Sequence, residues 1–431
     1  MNKRRILFLF FILSNSVFSQ QLTYGNPSEV QMDSLYIHTK VDSILNDAIQ
    51  KKAFPGVQVL VAKNHTIIFH KAYGYHTYDS IQKVQTTDVY DIASVTKILG
   101  PLPALMKLYD EGKIDLDTPF STYWKPWKRR QAKKQLSLRE ILAHQAGLQS
   151  YIAFLKEVLR KNKSLKSRFV KSALKRRYTH QAYNNMFIKD RFVHKMYRHI
   201  NRSKVAATKN YKYSGVSFLL FPQVITDITK QDYERYLQKS FYEPIGANTL
   251  GYLPTTKKWQ ANIVPTEIDS LFRKELVKNW VHDENAALMG GISGNAGLFG
   301  SAIDLAKMMQ MYCNYGYYNM KQYISERTVK EFTNIQFPKN NNRRGLGFDK
   351  PLIGNDTLPI HKAYPAPEVS KESFGHSGFT GTFVWADPTH NLVFIFLSNR
   401  VYPTRNQRNI YNLNIRPKVQ QVFYQAMRKS K

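Results

Sequence analysis

Two apolar stretches rich in β-branched and aromatic residues stand at opposite ends of the chain, and any fold must gather both into a sheet. GVQVLVAKNHTIIFHKAYG, residues 56–74, reads as two strands joined by a turn at Asn64 and His65. TFVWADPTHNLVFIFL, residues 382–397, reads as two more around the Asp387-Pro388 turn. An amphipathic helix, VDSILNDAIQKKA, precedes the first pair, and residues 415–427 predict a closing helix. PALMKLYDEG predicts a further helix ending near Gly112, with a kink where Gly100, Pro101 and Pro103 crowd its start. The middle third, about 136–304, reads as mostly helical with long irregular loops.

Strands at both ends with helices between them predict an α+β fold. One antiparallel sheet is assembled from the two chain ends and flanked by helices, a mostly helical lobe lies to one side, and a ligand cleft lies between. The expected division is a leader over 1–19 and one domain over 20–431, with an α/β lobe at about 36–100 and 300–431 and a helical lobe at about 101–299.

The chain carries a formal net charge of +32, and most of it is local. Residues 125–212 hold 25 Lys and Arg against Glu140, Glu157 and Asp190, a balance of +22, which marks this stretch as a basic insertion. Such a block suits an anionic envelope polymer or lipid surface, or simply a solvated face. Nucleic acid is not the expected partner, because the first residues have the layout of an export signal. Lys3, Arg4 and Arg5 precede an apolar run from Ile6 to Leu13, which is too short to span a bilayer, and small or polar residues follow around Val17 to Ser19. With Cys313 as the sole cysteine, no internal disulfide and no lipid-bearing cysteine is expected, and the expected location is periplasmic or secreted.

Chemistry enters at DIASVTKILG, residues 91–100, where an extended stretch turns into a helix. Ser94 and Lys97 are three residues apart, so on a helix they share a face and place a hydroxyl beside an amine. A serine hydroxyl is a weak nucleophile that needs a neighbour to take its proton. A serine near a helix start is more often a cap, so the rest of the chain must decide between the two readings. The run His282, Asp283, Glu284 and Asn285 contains three ligand types, but adjacent residues do not converge on one ion from a regular element. HDEN therefore reads as a loop bordering the cleft, and neither metal nor cofactor is expected.

Four stretches in this order resemble the serine beta-lactamase and penicillin-binding-protein superfamily, in particular its class C beta-lactamase, DD-peptidase and esterase-like branch. They are ASVTK at 93–97, LSLREILAHQAGL at 136–148, YKYSGVSFLL at 211–220 followed by YEPIGANTLGYLP, and FGHSGFTGT at 374–382. The stretch from 265 to 312 further resembles a Bacteroidetes subgroup of these hydrolases. The resemblance implies the beta-lactamase/transpeptidase-like fold, with Ser94 as nucleophile and Lys97 and Tyr213 as a shared acid/base pair; which of the two takes the serine proton stays open. It places His376, Ser377 and Gly378 on an edge strand beside the serine, where many relatives carry K-T-G or H-T-G. The N–H groups of Phe379 and Ser94 then form an oxyanion hole, and His376 is a polar group facing the substrate or the Lys97/Tyr213 pair. His144 is implied to support a helix end.

Two departures bear on substrate. Gly215 stands where most relatives have Asn or Asp two residues after the motif tyrosine, and Asn295 replaces the histidine of the subgroup's S-G-H-A-G-L-F. Both weigh against beta-lactams. The expected protein is an exported serine hydrolase that works through a Ser94 acyl-enzyme on small or peptidoglycan-derived esters or D-amino-acid amides, with beta-lactams as a less favoured substrate. The alternative is a catalytically silent envelope-binding protein that keeps the fold and uses its basic lobe.

Overall fold

Both apolar stretches enter one sheet in the computed structural model, which describes residues 21–429 and leaves the leader-like segment 1–19 outside the described residues. The strands are β1 (Thr23–Tyr24), β2 (Gly56–Lys63), β3 (Thr66–Gly74), β4 (Phe374–Ser377), β5 (Phe383–Asp387) and β6 (Leu392–Ser398), in spatial order β1-β3-β2-β6-β5-β4. The β2–β3 turn is where expected, with Asn64 and His65 both at positive φ, 49° and 67°, which a tight hairpin turn requires. The two chain ends join at β2–β6, an antiparallel pair running from Leu392 opposite Lys63 to Ser398 opposite Val57. The sheet is antiparallel except at its rim, where β1 pairs in parallel with β3.

Both faces of this sheet are covered, which is why its strands are apolar almost continuously. Val57, Val59, Val61, Phe394 and Phe396 point to one side and pack with Ile37, Val41 and Leu45 of helix α1 (Ser34–Gln50) and with Val419 and Phe423 of the closing helix, Ile415–Lys429. Leu60, Ala62, Val393, Ile395 and Leu397 point to the other and join the larger core, which includes Leu305, Met308 and Met309 of the helix Ala302–Cys313. Helix α1 starts earlier than its apolar spacing suggests, because Asp33 caps it and accepts the Tyr36 N–H at 2.9 Å.

The kink at Gly100 is present. Helix α2 (Thr96–Leu99) ends there and α3 (Pro101–Asp110) begins at the proline; a Cβ at Gly100 would fall 2.7 Å from the Thr96 carbonyl. The middle third carries helices α4 (Leu138–Leu142), α5 (Phe192–Arg202) and α6 (Glu284–Leu288) among long irregular loops, but the loops outweigh the helices and short strands are present as well. The strands Val170–Lys171, His180–Tyr183 and Met186–Ile188 form a small antiparallel sheet inside the basic insertion. These strands have two to four residues each, too few for their alternation to register against the surrounding lysines and arginines.

Candidate active site

The turn that carries Ser94 is shaped by its neighbours before any ligand arrives. Ser94 lies in a 3-10 turn, Ala93–Val95, between the short strand Tyr90–Asp91 and α2. Ala93 holds φ at 46°, a left-handed conformation that costs an L-residue energy and persists only where the surroundings enforce it. Asp91 enforces it: one carboxylate oxygen accepts the Ala93 N–H at 2.8 Å and the other accepts the His282 N–H at 2.6 Å. Burial pushes the Asp91 pKa up, against the opposing pull of these two donors.

One turn later Lys97 points back at the serine. Its Nζ donates to Ser94 Oγ at 2.9 Å and to the Asn295 carbonyl at 3.0 Å. Lys97 is 2 % exposed, and no carboxylate pairs with it among the described residues. Its Nζ lies 5.4 Å from the ring centre of Tyr213 and 5.6 Å from that of Phe218, so aromatic faces and a carbonyl surround it in place of an acidic partner.

Tyr213 is placed by two histidines. The His144 ring packs 4.5 Å from it and its Nδ1 accepts the Ser214 N–H at 3.2 Å, so His144 supports the tyrosine segment as well as the end of α4. On the other side the Tyr213 hydroxyl lies 3.5 Å from His376 Nε2. His376 Nδ1 lies 2.7 Å from the Ser377 carbonyl, which assigns the ring proton to Nδ1 and leaves Nε2 to accept from Arg344 Nη2 at 3.3 Å. Burial first, then Arg344 and Lys97, push the His376 pKa well below the usual histidine range. The ring is therefore neutral near pH 7. Arg344, buried and bonded to Asp349 at 3.0 Å, lies 5.4 Å over the Tyr213 ring.

Edge strand β4 is docked onto the serine turn. The Gly378 N–H bonds to the Thr382 carbonyl at 2.8 Å, while the hydroxyls of Thr382 and Thr380 donate to the carbonyls of Ile92 and Asp91 at 3.0 and 2.8 Å. Phe379 is half-exposed, its carbonyl accepts from Arg400 Nε at 2.8 Å, and no hydrogen bond engages its N–H among the described residues.

Ser94 opens onto two cavities. One, of about 590 Å³, is lined by His376, Ser377, Gly378 and Phe379 together with Arg343 and Arg416. The other, of about 410 Å³, is lined by Lys97, Tyr213, Gly215, His282, Asp283 and Glu284. All seven residues singled out in the sequence thus meet around the same hydroxyl. HDEN borders the cleft as expected, but only His282 and Asp283 lie in a loop: Glu284 and Asn285 open α6, which Asp283 caps by accepting the Ala286 N–H at 2.8 Å. The three side chains also diverge, His282 Nε2 going to Glu267 at 2.8 Å and Glu284 to Arg405 at 2.8 Å.

Asp91, Arg344 and the Asn295 carbonyl escaped the sequence reading. Asp91 sits three residues before Ser94, where an acidic residue ahead of a turn is a usable signal. Arg344 lies in an NNRRGLGF run with no periodicity to set it apart, and a main-chain acceptor leaves no trace in residue type.

Comparison with known proteins bears on the family and the fold. The Beta-lactamase family pattern matches residues 41–415. A relative from Salmonella gallinarum, described as "Putative D-alanyl-D-alanine carboxypeptidase", is 28% identical over 429 residues, covering 94% of this chain and 92% of its own. Among solved structures, "A class C beta-lactamase" superposes with a TM-score of 0.63 at 15% identity, covering 90% of this chain and 97% of that one. "EstCE1, a hydrolase with promiscuous acyltransferase activity" also gives 0.63 at 15% identity, covering 90% and 99%. With the fold shared across the sheet and the helices around it, and the family pattern spanning nearly all of the described residues, this chain belongs to the beta-lactamase family of serine hydrolases.

Proposed function

We propose that the protein is an exported hydrolase that acylates Ser94 with esters or D-amino-acid amides of cell-wall type and releases the acyl group to water. The observation that carries this reading is the 2.9 Å contact between Ser94 Oγ and a buried lysine amine that has no carboxylate partner among the described residues. Ser94 attacks the substrate carbonyl while Lys97 and Tyr213 share the transfer of its proton to the departing alcohol or amine. The N–H groups of Ser94 and Phe379 hold the developing oxyanion. Water then enters on the same proton path and cleaves the acyl ester.

Four further features support the assignment. Neutral His376 adds no further positive charge beside Arg344, and its contact with the Tyr213 hydroxyl orients the phenol. The relatives described as carboxypeptidases favour a peptide ending in D-amino acids, and the arginine-lined cavity offers charge complementary to a terminal carboxylate. Gly215 puts no side chain on the cleft wall, which favours esters and D-amino-acid peptides over beta-lactams.

The test is covalent labelling. A fluorophosphonate probe and a penicillin-type probe are incubated with wild type and with Ser94→Ala, and intact-mass spectrometry reads the adduct. Labelling of wild type alone is expected; absence of an adduct across both probes and a panel of esters and D-Ala-D-Ala peptides would favour a silent binding protein.

A further inference from the structure

A third cavity, of about 570 Å³, lies within the basic insertion. Only a short segment separates it from the Ser94 cleft: Gln149 and Ile152 line the basic cavity, while Ser150 and Tyr151 line the smaller cavity at Ser94. One wall is helix α5 with the residue before it. Arg191, Lys195, Arg198 and Arg202 follow one another at intervals of four, three and four, so all four cations lie on one helical face and line the same space. The stripe runs roughly 16 Å along the helix. Phe169 and Phe192, packed edge to face at 5.3 Å, also line the cavity, and Lys189 adds a fifth cation.

Of these five charges only one is neutralised internally among the described residues. Lys195 pairs with Glu157 at 2.5 Å, whereas Arg191, Arg198 and Arg202 are exposed and have no carboxylate partner among the described residues. Like charges one turn apart oppose helix formation, so the stripe works against the element that bears it. The element is secured elsewhere: buried Lys133 donates to the carbonyls of Ile200 and Ser203 at the end of α5, and the Asn201 side chain accepts from the indoles of Trp124 and Trp127 at 2.7 and 3.0 Å.

We propose that this cavity is a binding site for a linear phosphate-bearing polymer, held along α5 beside the hydrolytic cleft. Guanidinium groups bind phosphate through paired donors, and a row of them along a concave wall fits a chain with regularly spaced anions better than a single small ion. A bilayer surface calls for a convex face, and this wall is concave. Single-stranded nucleic acid calls for exposed aromatic faces on which bases stack, whereas Phe192 is buried and packs on Phe169. The site does not rest on the hydrolase reading.

Fluorescence anisotropy of a dye-labelled long-chain inorganic polyphosphate, titrated with the purified protein at several salt concentrations, tests the site. Replacing Arg191, Arg198 and Arg202 together by Gln is expected to weaken binding at least about tenfold and to lower the log–log salt slope by about 2. A control triple Lys258→Gln, Lys321→Gln, Lys371→Gln removes the same charge at exposed positions elsewhere and is expected to bind within about twofold of wild type. Equal weakening by the two triples would overturn the site in favour of diffuse attraction. Tighter binding of oligothymidylate of matched charge, or phosphatidylglycerol vesicles bound equally by wild type and the Arg triple while polyphosphate is not bound, would also overturn it. Ser94→Ala is expected to bind polyphosphate as wild type does, and the Arg triple to take up the fluorophosphonate label at the wild-type rate, so failure of either reading leaves the other visible.

Discussion

Gly378 and Gly215 line the same cleft, and their surroundings predict opposite tolerance. A Cβ at Gly378 would fall 2.0 Å from Thr382 Oγ1 and 2.6 Å from the Ile92 carbonyl, the two atoms whose hydrogen bond docks β4 on the serine turn. Gly378→Ala is therefore expected to push the edge strand from Ser94 and to lower kcat/KM for an ester substrate by about 100-fold, as displacements near 1 Å do. At Gly215 the nearest atoms lie 3.9 and 4.0 Å away, so Gly215→Ala is expected to leave the melting temperature unchanged. An unchanged kcat/KM for Gly378→Ala, or a lowered melting temperature for Gly215→Ala, would contradict this account of the cleft. Arg344 carries a prediction of a different kind. Burial, then its charge, keep His376 neutral, so Arg344→Gln is expected to raise the His376 pKa and move the acid limb of the pH–rate profile to higher pH. Superimposable profiles for wild type and variant would remove Arg344 from that role. Ser94 and Lys97 were readable because three residues on a helix imply contact; Arg344 was not, because its partners Tyr213 and His376 are brought to it only by the fold.

At the scale of elements, the basic insertion is more than a charged surface. Lys133, 1 % exposed, turns inward to the end of α5 beside fully buried Trp127, whereas Lys128 in the same run is exposed. Lys133→Met keeps the stem and removes the donor, leaving buried carbonyls of Ile200 and Ser203 without it. A loss of about 3 kcal/mol in urea unfolding is expected, with Lys128→Met close to wild type. An unchanged midpoint for Lys133→Met would show that the cap contributes nothing. Charge density hid this role in the sequence, since nothing local separates the inward lysine from its solvated neighbours. The long strands and the closing helix were legible because their apolar runs are extended and bounded by turn residues such as Asn64 and Asp387.

Over the whole molecule, distant segments are tied together beside the cleft. Glu267 accepts from His282 Nε2 at 2.8 Å and from the Arg405 guanidinium at 2.6 Å, and Arg405 also reaches Glu284. Burial alone would raise the Glu267 pKa; the bonds from His282 and Arg405 outweigh it and leave the pKa lowered to about 2. A carboxylate with a depressed folded-state pKa stabilises the fold above its unfolded value near 4.5, and that contribution is lost as pH falls toward 2. Unfolding at pH 6 is expected to show Glu267→Gln less stable by on the order of 3 kcal/mol, with the gap closing as pH falls through this window. A gap independent of pH would mean that Glu267 acts by packing rather than by charge.

What this sequence determined by itself was local in origin: strand pairs at either end, a helix to close the chain, a hydroxyl and an amine one turn apart, and a block of concentrated positive charge. The strands, the helix and the Ser94–Lys97 pair follow from period, turn chemistry or spacing within about twenty residues, where chain geometry leaves little freedom, and the charge block over 125–212 follows from composition alone. Tertiary structure alone decided the strand order β1-β3-β2-β6-β5-β4, the seating of Tyr213 between His144 and His376, the arrival of Arg344 and the Asn295 carbonyl, and which cations point inward. Those outcomes depend on contacts between residues far apart in the chain, whose energy appears only when packing has removed water from between them.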